Sequence, residues 1–177
     1  MVVHMIVEYK KSGRVAVITL NRPEARNAVS GELAQALEGA IDKLEADDDV
    51  WVGILAGNGP VFCAGADLKA VASGKANLGT SRGGFGGFVT LERTKPVIAA
   101  VEGPAAAGGC ELVLACDLVV ASSDAAFGLP EVKRSLVAMA GGTTRLPKRV
   151  PQNIAMELAL TGDTMNAERA YQHGLVN

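Results

Sequence analysis

Residues 103–116, GPAAAGGCELVLAC, hold the features on which the fold assignment depends. The first seven are glycine, proline and alanine, so they form a turn that is almost free of side chains. Residues 108–116 are apolar enough for a buried helix, and Glu111 is the one charged residue among them. A turn that opens a helix presents free backbone N–H groups, which favour an anionic oxygen. Taken alone, such a turn is more often a tight strand-to-helix connection.

Short apolar strands are predicted on both sides of this stretch. Residues 96–101 (PVIAAV) precede it, residues 117–121 (DLVVA) follow it, and residues 51–55 (WVGIL) form a further buried strand. Residues 5–10 and 14–20 are rich in Val and Ile and flank the short connection KSG, a pattern typical of a β-hairpin.

Helices are predicted between and after these strands. Ser30 fits an N-cap, and apolar residues follow it at helical spacing. This stripe comprises Leu33, Leu37, Ile41 and Leu44. Residues 153–160 and 167–173 are typical of amphipathic helices. Strands that alternate with helices indicate α/β architecture, and 177 residues suffice for a single domain, residues 1–177.

The composition excludes several functional classes. Apolar residues make up 49% and the net charge is -2, so the chain has no basic field for nucleic acid. No apolar run reaches the roughly 18 residues of a membrane span, and the N-terminal lysines follow the apolar residues, which is wrong for a signal peptide. Cys63, Cys110 and Cys116 lack a Cys-x-x-Cys spacing, which argues against disulfides or zinc. We expect a reduced, cytoplasmic protein without a membrane segment.

The histidines and the glycine-rich stretch add little chemistry of their own. His4 and His173 lie near opposite ends of the chain without a nucleophile motif, so we expect neither a catalytic triad nor a metal site. Residues 72–87 are the least structured part of the pattern. A mobile loop beside a site and a plain connection are equally compatible with them.

Glu111 and Glu131 both stand in apolar sequence. An ionised carboxylate is costly to bury without a partner, so each needs an explanation. One explanation is structural, with backbone amides or an arginine such as Arg134 satisfying the carboxylate. The other is a pair of carboxyl groups that face one cavity, where apolar surroundings raise the pKa and one group gives a proton while the other takes one.

Residues 62–69, FCAGADLK, form a second side-chain-poor turn, which follows the strand at 51–55. Two amide donors from separate turns are the usual construction of an oxyanion hole, in which loss of one donor costs roughly 3 kcal/mol of barrier. Together with the two glutamates, the two turns predict a site.

Several ordered motifs resemble the enoyl-CoA hydratase/isomerase (crotonase) family. They are NRPEARNA at 21–28, FCAGADLK at 62–69, residues 108–117 followed by 127–131, GGTTRL at 141–146 and LTG at 160–162. The resemblance implies a crotonase-like spiral of ββα units, an α/β fold that is usually assembled as homotrimers or hexamers.

The same resemblance implies the site residues. The oxyanion-hole amides would be those of Ala66 and Gly108, and the catalytic glutamates would be Glu111 and Glu131. Coenzyme A would lie along Ala25, Arg26, Ala64, Asp67 and Leu68. Coenzyme A would enter as part of the acyl-CoA thioester substrate, so no separate cofactor is expected.

The implied reaction is hydration of a trans-2-enoyl-CoA. Family members that lack one glutamate tend to be isomerases or other thioester enzymes, so the presence of both favours a hydratase. The glutamates would hold a water that adds to the β-carbon while the α-carbon takes a proton. The alternatives are another acyl-CoA reaction of this fold (isomerase, hydrolase or decarboxylase) or a non-catalytic acyl-CoA-binding protein.

The sequence departs from the family pattern in two places. Residues 136–140 read LVAMA where the family often has Pro and Gly near the water, and the Met139 side chain is expected to narrow the cavity. Family members also continue beyond the position of residue 177, so we expect the C-terminal helical part to be missing. Residues 174–177 would then have nothing to pair with, and apolar faces that include Ile154, Met156, Leu158 and Ala170 would need cover, either from a further part of the chain or from other subunits.

Overall fold

A five-stranded sheet forms the centre of the computed structural model, which describes residues 5–73 and 77–177. The strands are β1 (Val7–Ser12), β2 (Val15–Leu20), β3 (Val52–Gly57), β4 (Gly79–Thr80), β5 (Gly84–Phe85), β6 (Val97–Val101), β7 (Pro104–Ala106), β8 (Leu118–Ala121), β9 (Ala126–Gly128) and β10 (Thr164–Asn166). The α-helices are α1 (Gly31–Ala46), α2 (Leu68–Ala72), α3 (Gly108–Ala115), α4 (Gly142–Arg149), α5 (Gln152–Thr161) and α6 (Ala167–Gln172). Short 3-10 helices span Pro23–Ala25 and Pro130–Arg134.

The strand order of the large sheet is β1-β2-β3-β6-β8. β1 and β2 form the antiparallel hairpin that the sequence predicts, and β2, β3, β6 and β8 run parallel. A second sheet has the order β10-β9-β7. β6 and β7 therefore go to different sheets before the chain enters α3, and β8 and β9 likewise go to different sheets before the chain enters the second 3-10 helix. This repetition is the predicted ββα arrangement.

Helix α1 covers the sheet with the apolar stripe that the sequence predicts. The Ser30 hydroxyl accepts a hydrogen bond from the Leu33 N–H at 3.2 Å, which caps the helix. All four stripe residues are fully buried. Burial of each such side chain contributes about 1.5–3 kcal/mol. Trp51, which we placed in the third strand, instead precedes β3 and is 63% exposed.

The segment after β2 is tied to the loop after β3 by a buried asparagine. Asn27 donates from Nδ2 to the carbonyls of Asn58 (2.9 Å) and Val61 (2.8 Å), and its Oδ1 accepts from the Arg22 N–H at 2.8 Å. The Arg22 guanidinium in turn pairs with Asp67 at 3.2 Å. Since every polar group of the Asn27 amide is occupied, this side chain fixes the path of the chain into the second turn.

The prediction that residues 174–177 have nothing to pair with is wrong. The Asn177 N–H donates to the Val119 carbonyl at 2.9 Å, and the Val119 N–H donates to Asn177 Oδ1 at 2.9 Å. Leu175 is buried in the core. The physical reason is that β8 is an edge strand, whose unpaired main-chain groups accept a further segment.

The apolar faces that we expected to be uncovered on the last helices are covered in part, since Leu160 (66%) and Tyr171 (65%) are still exposed. Ile154, Leu158 and Ala170 are buried in the core of this chain. Met156 is the exception among the four residues named, with 51% of its surface exposed.

Residues 77–87 are more ordered than the sequence predicts, whereas residues 74–76 lie outside the described part. β4 and β5 form a small antiparallel hairpin. The Glu38 carboxylate on α1 accepts hydrogen bonds from the Thr80 hydroxyl and the Gly83 N–H. This anchor holds the hairpin against α1 and places Phe85 beside α3. Of the two histidines, His4 lies outside the described residues and His173 is half-buried.

We expect Ser30→Ala to lower the free energy of unfolding by about 1 kcal/mol, because the first turn of α1 loses its cap. Ser30→Asp is the matched control, since a carboxylate accepts the same N–H and should retain the stability. Urea unfolding followed by circular dichroism measures both. Equal stability of the alanine and aspartate variants would contradict the capping role.

Candidate active site

The two side-chain-poor turns meet backbone to backbone. The Ala106 N–H donates to the Cys63 carbonyl at 3.0 Å. A Cβ on Gly109 would lie 2.0 Å from the Cys63 oxygen, and a Cβ on Gly65 would lie 3.0 Å from the Gly108 nitrogen. Only glycine therefore permits this approach, which sets the start of α3 directly on the second turn.

Two backbone amides remain free where the turns meet. Within residues 5–73 and 77–177, neither the Ala66 N–H nor the Gly108 N–H donates to a backbone carbonyl. The neighbours of Ala66 are paired, because Gly65 accepts from the Val29 N–H and Asp67 donates to the Val29 carbonyl. Ala66 and Gly108 both line one cavity of about 1070 Å³. The arrangement is that of a donor pair for an anionic oxygen.

Ala107 carries backbone strain at this point. Its φ of 51° and ψ of -127° belong to a region that favours glycine, and holding a residue there costs of order 1–3 kcal/mol. A hydrogen bond from its N–H to the Gly128 carbonyl at 3.0 Å helps to hold the conformation. The strained residue immediately precedes the free Gly108 amide, so the strain lies where it orients that donor.

The structure brings Glu111 and Glu131 to the same cavity, as the sequence predicts. Glu111 lies in the first turn of α3, is 3% exposed and accepts at Oε1 from the Gly142 N–H at 2.8 Å. Glu131 lies in the 3-10 helix that follows β9. Among the described residues, its Oε2 is buried without a hydrogen-bond partner. Arg134 also lines the cavity, but the group that satisfies Glu111 is the Gly142 amide.

Burial is the main cause that raises the pKa of both carboxyl groups. For Glu111, the Gly142 N–H lowers the pKa and the neighbouring Glu131 charge raises it, so the pKa stays above its usual range. For Glu131, burial raises the pKa, and the one contribution that lowers it is a hydrogen bond from the residue's own backbone N–H. Burial also raises the pKa of the Cys110 thiol to about 12, which makes it a poor nucleophile. The raised pKa values of the two carboxyl groups lie closer to neutral pH than those of ordinary glutamates, which suits both groups to proton transfer.

The five residues assigned to coenzyme A do not all reach the cavity. Ala64 and Leu68 line it, whereas Ala25, Arg26 and Asp67 do not. The Ala64 N–H donates to the Arg26 carbonyl at 3.0 Å, so the turn that holds Ala25 and Arg26 adjoins the cavity wall.

The Asp67 carboxylate is occupied by structural contacts. It accepts from the N–H groups of Lys69 (3.1 Å) and Ala70 (3.3 Å), which caps α2, and it pairs with Arg22. Burial raises the pKa of Asp67, but these amides and Arg22 outweigh it and the pKa is lowered. The side chain therefore stabilises the turn and has little capacity left for a ligand.

Sequence reasoning missed three features of the site. Gly142 supplies the amide on Glu111, and a Cβ there would lie 3.0 Å from Glu111 Oε1. Phe85 packs over Gly108, because a Cβ on Gly108 would lie 2.3 Å from its ring. Arg145 reaches the turn that carries Gly142. The motif GGTTRL was the available signal for two of these, but it does not show that Gly142 faces Glu111.

Met139 lines the cavity, and its residue surface is 89% exposed. That it narrows the cavity stays a prediction. Exposed apolar residues next to it also line the cavity, namely Leu136 and Val137.

We expect Gly108→Ala to lower the melting temperature and to displace the start of α3, because its methyl group collides with the Phe85 ring. The double variant Gly108→Ala/Phe85→Ala removes the collision. It should be about as stable as Phe85→Ala alone, a non-additive coupling typical of residues in contact. Thermal unfolding of the three variants measures this coupling, and strictly additive losses would show that the two residues do not interact.

Proteins of known sequence and structure resemble this chain closely. The enoyl-CoA hydratase EchA19 of Mycobacterium tuberculosis is 40% identical over 173 residues, which cover 94% of this chain and 65% of that protein. Carnitinyl-CoA dehydratase of Proteus mirabilis is 42% identical over 168 residues, covering 93% and 64%. The chain thus spans about two thirds of the length of these relatives.

Solved structures show the same fold. The enoyl-CoA hydratase EchA1 from Mycobacterium marinum superposes with a TM-score of 0.93 at 54% identity, covering 97% of this chain and 68% of that one. Carnitinyl-CoA hydratase from Mycobacterium avium gives a TM-score of 0.94 at 46% identity, covering 97% and 67%. A family model described as enoyl-CoA hydratase/isomerase matches residues 10–177. The chain therefore belongs to the enoyl-CoA hydratase/isomerase family and has its crotonase-like α/β fold.

Proposed function

We propose that this chain carries the active site of an enoyl-CoA hydratase, which adds water across the 2,3 double bond of a trans-2-enoyl-CoA. The observation that supports the proposal is the meeting, at one cavity, of the buried Glu111, the half-buried Glu131 and two amides that have no backbone partner among the described residues. The names of the relatives, which include hydratases and dehydratases of CoA thioesters, agree with this reaction.

The surroundings of the two carboxyl groups suggest different roles. Glu111 accepts the Gly142 N–H and feels the charge of Arg145, both of which favour its ionised form. Glu131 has a buried Oε2 without a donor among the described residues, which favours its protonated form. We therefore assign Glu111 as the general base and Glu131 as the general acid.

In the proposed reaction, Glu111 takes a proton from the water while the water oxygen bonds to the β-carbon. The electrons of the double bond move onto the thioester oxygen, whose developing charge is held by the amides of Ala66 and Gly108. Glu131 then gives its proton to the α-carbon as the carbonyl re-forms. A proton passes from Glu111 back to Glu131, and the pair returns to its starting state.

The cavity wall also suits the rest of an acyl-CoA. Two basic residues, Arg134 and Lys148, line it and favour phosphate groups. The apolar side chains of Leu68, Leu136 and Val137 offer surface to an acyl chain. Coenzyme A enters as part of the substrate, and hydration transfers no electrons, so the reaction requires no separate cofactor.

We further propose a cytoplasmic protein that assembles as a homotrimer or hexamer. The buried free thiols of Cys63, Cys110 and Cys116 fit a reducing compartment. Exposed apolar residues on the edge strand β8, Leu118 and Val120, fit association. No helix in the described part of the chain has both the length and the apolar character for a membrane span. Light scattering at low micromolar concentration tests the oligomer, and a stable monomer with full activity would refute it.

The direct test mixes the protein with a short trans-2-enoyl-CoA and follows the absorbance of the conjugated thioester. Hydration removes that absorbance without releasing a thiol. Release of free thiol would identify a hydrolase, movement of the double bond would identify an isomerase, and loss of carbon dioxide from a carboxylated acyl-CoA would identify a decarboxylase. Binding without any reaction would identify an acyl-CoA-binding protein and refute the proposal.

We expect Glu111→Gln and Glu131→Gln each to lower kcat by roughly 100- to 10,000-fold, because each removes a proton-transfer group. KM should change by only a few-fold, since neither carboxyl group holds the coenzyme A. Glu102→Gln is the matched control, because Glu102 is exposed and does not line the cavity. A single variant with wild-type kcat would remove that glutamate from the mechanism.

We expect the rate to show a bell-shaped dependence on pH, with both limbs above the usual carboxyl range, because burial raises the pKa of both groups. Activity should rise as the base ionises and fall as the acid loses its proton, with midpoints that belong to the coupled pair. The residual activity of Glu131→Gln should lack the alkaline limb. Profiles of kcat/KM against pH measure this, and an unchanged alkaline limb in that variant would contradict the assignment of the acid.

A further inference from the structure

The Arg145 guanidinium joins two segments of the cavity wall through main-chain oxygens. Its Nη1 donates to the Ala140 carbonyl at 3.1 Å, and its Nη2 donates to the Val89 carbonyl. Within residues 5–73 and 77–177, no carboxylate forms an ion pair with it. Arg145 itself lines the cavity. Its charge is therefore held at the site by carbonyl dipoles and not by a counter-ion.

The turn between Ala140 and Gly142 is enclosed between Arg145 and Glu111. Gly141 has a φ of 104°, and a Cβ there would lie 1.8 Å from Arg145 Nη1. The guanidinium therefore packs directly on the backbone of this turn. The next residue, Gly142, donates its N–H to Glu111 Oε1 at 2.8 Å. Any displacement of the turn away from Arg145 moves this donor relative to the carboxylate.

We propose that Arg145 is a positioning residue for Glu111, because it holds the turn from Ala140 to Gly142 against Val89 and so keeps the Gly142 N–H on the carboxylate. The effect on catalysis rests on the proposed hydratase function. The effect on Glu111 itself does not, because it follows from the contacts alone.

The electrostatic surroundings support this role. The charged groups that line the cavity with Glu111 are Glu131, Lys133, Arg134, Arg145 and Lys148. The Glu131 charge raises the pKa of Glu111, whereas Arg145 lowers it. Loss of Arg145 removes a favourable charge and frees the Gly142 turn, and both changes raise the pKa of Glu111.

Arg149 provides a matched control on the same helix. It donates to the carbonyls of Asp117, at 2.9 Å, and of Cys116, so it also joins main-chain oxygens through a guanidinium. It does not line the cavity. A purely structural role for Arg145 would make Arg145→Gln resemble Arg149→Gln in every measurement.

The experiment compares Arg145→Gln, Arg145→Lys and Arg149→Gln in two measurements. The first is kcat and KM against pH. The second is a ¹³C NMR titration of the glutamate carboxyl groups, in which the Glu111 signal is identified by its absence from Glu111→Gln.

For Arg145→Gln we expect kcat to fall roughly 100-fold through misplacement of the base, KM to change by less than a few-fold, and the Glu111 midpoint to rise. Arg145→Lys keeps the charge but cannot reach both carbonyls, so its effects should be intermediate. Arg149→Gln should lower the stability and leave kcat, KM and the Glu111 midpoint unchanged.

An unchanged Glu111 midpoint and an unchanged kcat per folded molecule in Arg145→Gln would overturn the inference. If Arg145→Gln does not fold, Arg145→Lys decides by the same two measurements. The titration also separates the two proposals. A raised Glu111 midpoint in Arg145→Gln, together with a wild-type protein that does not act on enoyl-CoA, would support the positioning role and refute the hydratase.

Discussion

Where the Cys63 carbonyl accepts the Ala106 N–H, two stretches of main chain approach so closely that no side chain fits between them. Gly65 and Gly109 permit this contact, and the site depends on it, since Ala66 and Gly108 line the same cavity where the two stretches meet. The fold holds the two stretches from both sides. The buried Asn27 amide fixes the path of the chain into the stretch at residues 62–69. The parallel strands β6 and β8 flank the stretch that contains Ala106 and Gly109. A small change in this one approach would separate the amides, and no side chain at the site compensates for it.

The site concentrates features that reduce stability. Two amides lack backbone partners in the described part of the chain, Ala107 is held in a strained conformation, and two carboxyl groups are wholly or partly withdrawn from water. Each is unfavourable for folding and favourable for chemistry, because donors and proton carriers held in advance need little reorganisation when charge develops. This loss of stability is offset by the burial of apolar side chains elsewhere, above all the apolar stripe of α1 that packs on the large sheet. Stability and function are thus supplied by different parts of one small domain.

Local patterns predicted much of the fold. The first hairpin, α1 with its Ser30 cap, the parallel strands and α3 all follow from spacing within a single element. The three-residue strands β7, β9 and β10 are too short to show a period, and α4 contains Pro147 and no apolar stripe. The partner of residue 177 could not be predicted, because Val119 lies 58 positions earlier in the chain. The glutamates stood out because carboxylates are rare in apolar sequence. Gly142 and Arg145 did not, since their importance arises from what they touch in space.

The cavity has two walls of different character. One is main chain, from the turn at Gly65 through the start of α3 to Gly142, where an added Cβ collides with backbone, with the Phe85 ring or with the surroundings of the Glu111 carboxylate. The other is formed by Leu136, Val137 and Met139, whose apolar side chains are exposed. Mutational drift and laboratory evolution therefore have very unequal freedom at this site. The first wall fixes the chemistry and admits almost no variation. The second is open to substitution, so under the proposed hydratase function divergence in the acyl groups accepted should be found there and should leave the reaction itself intact.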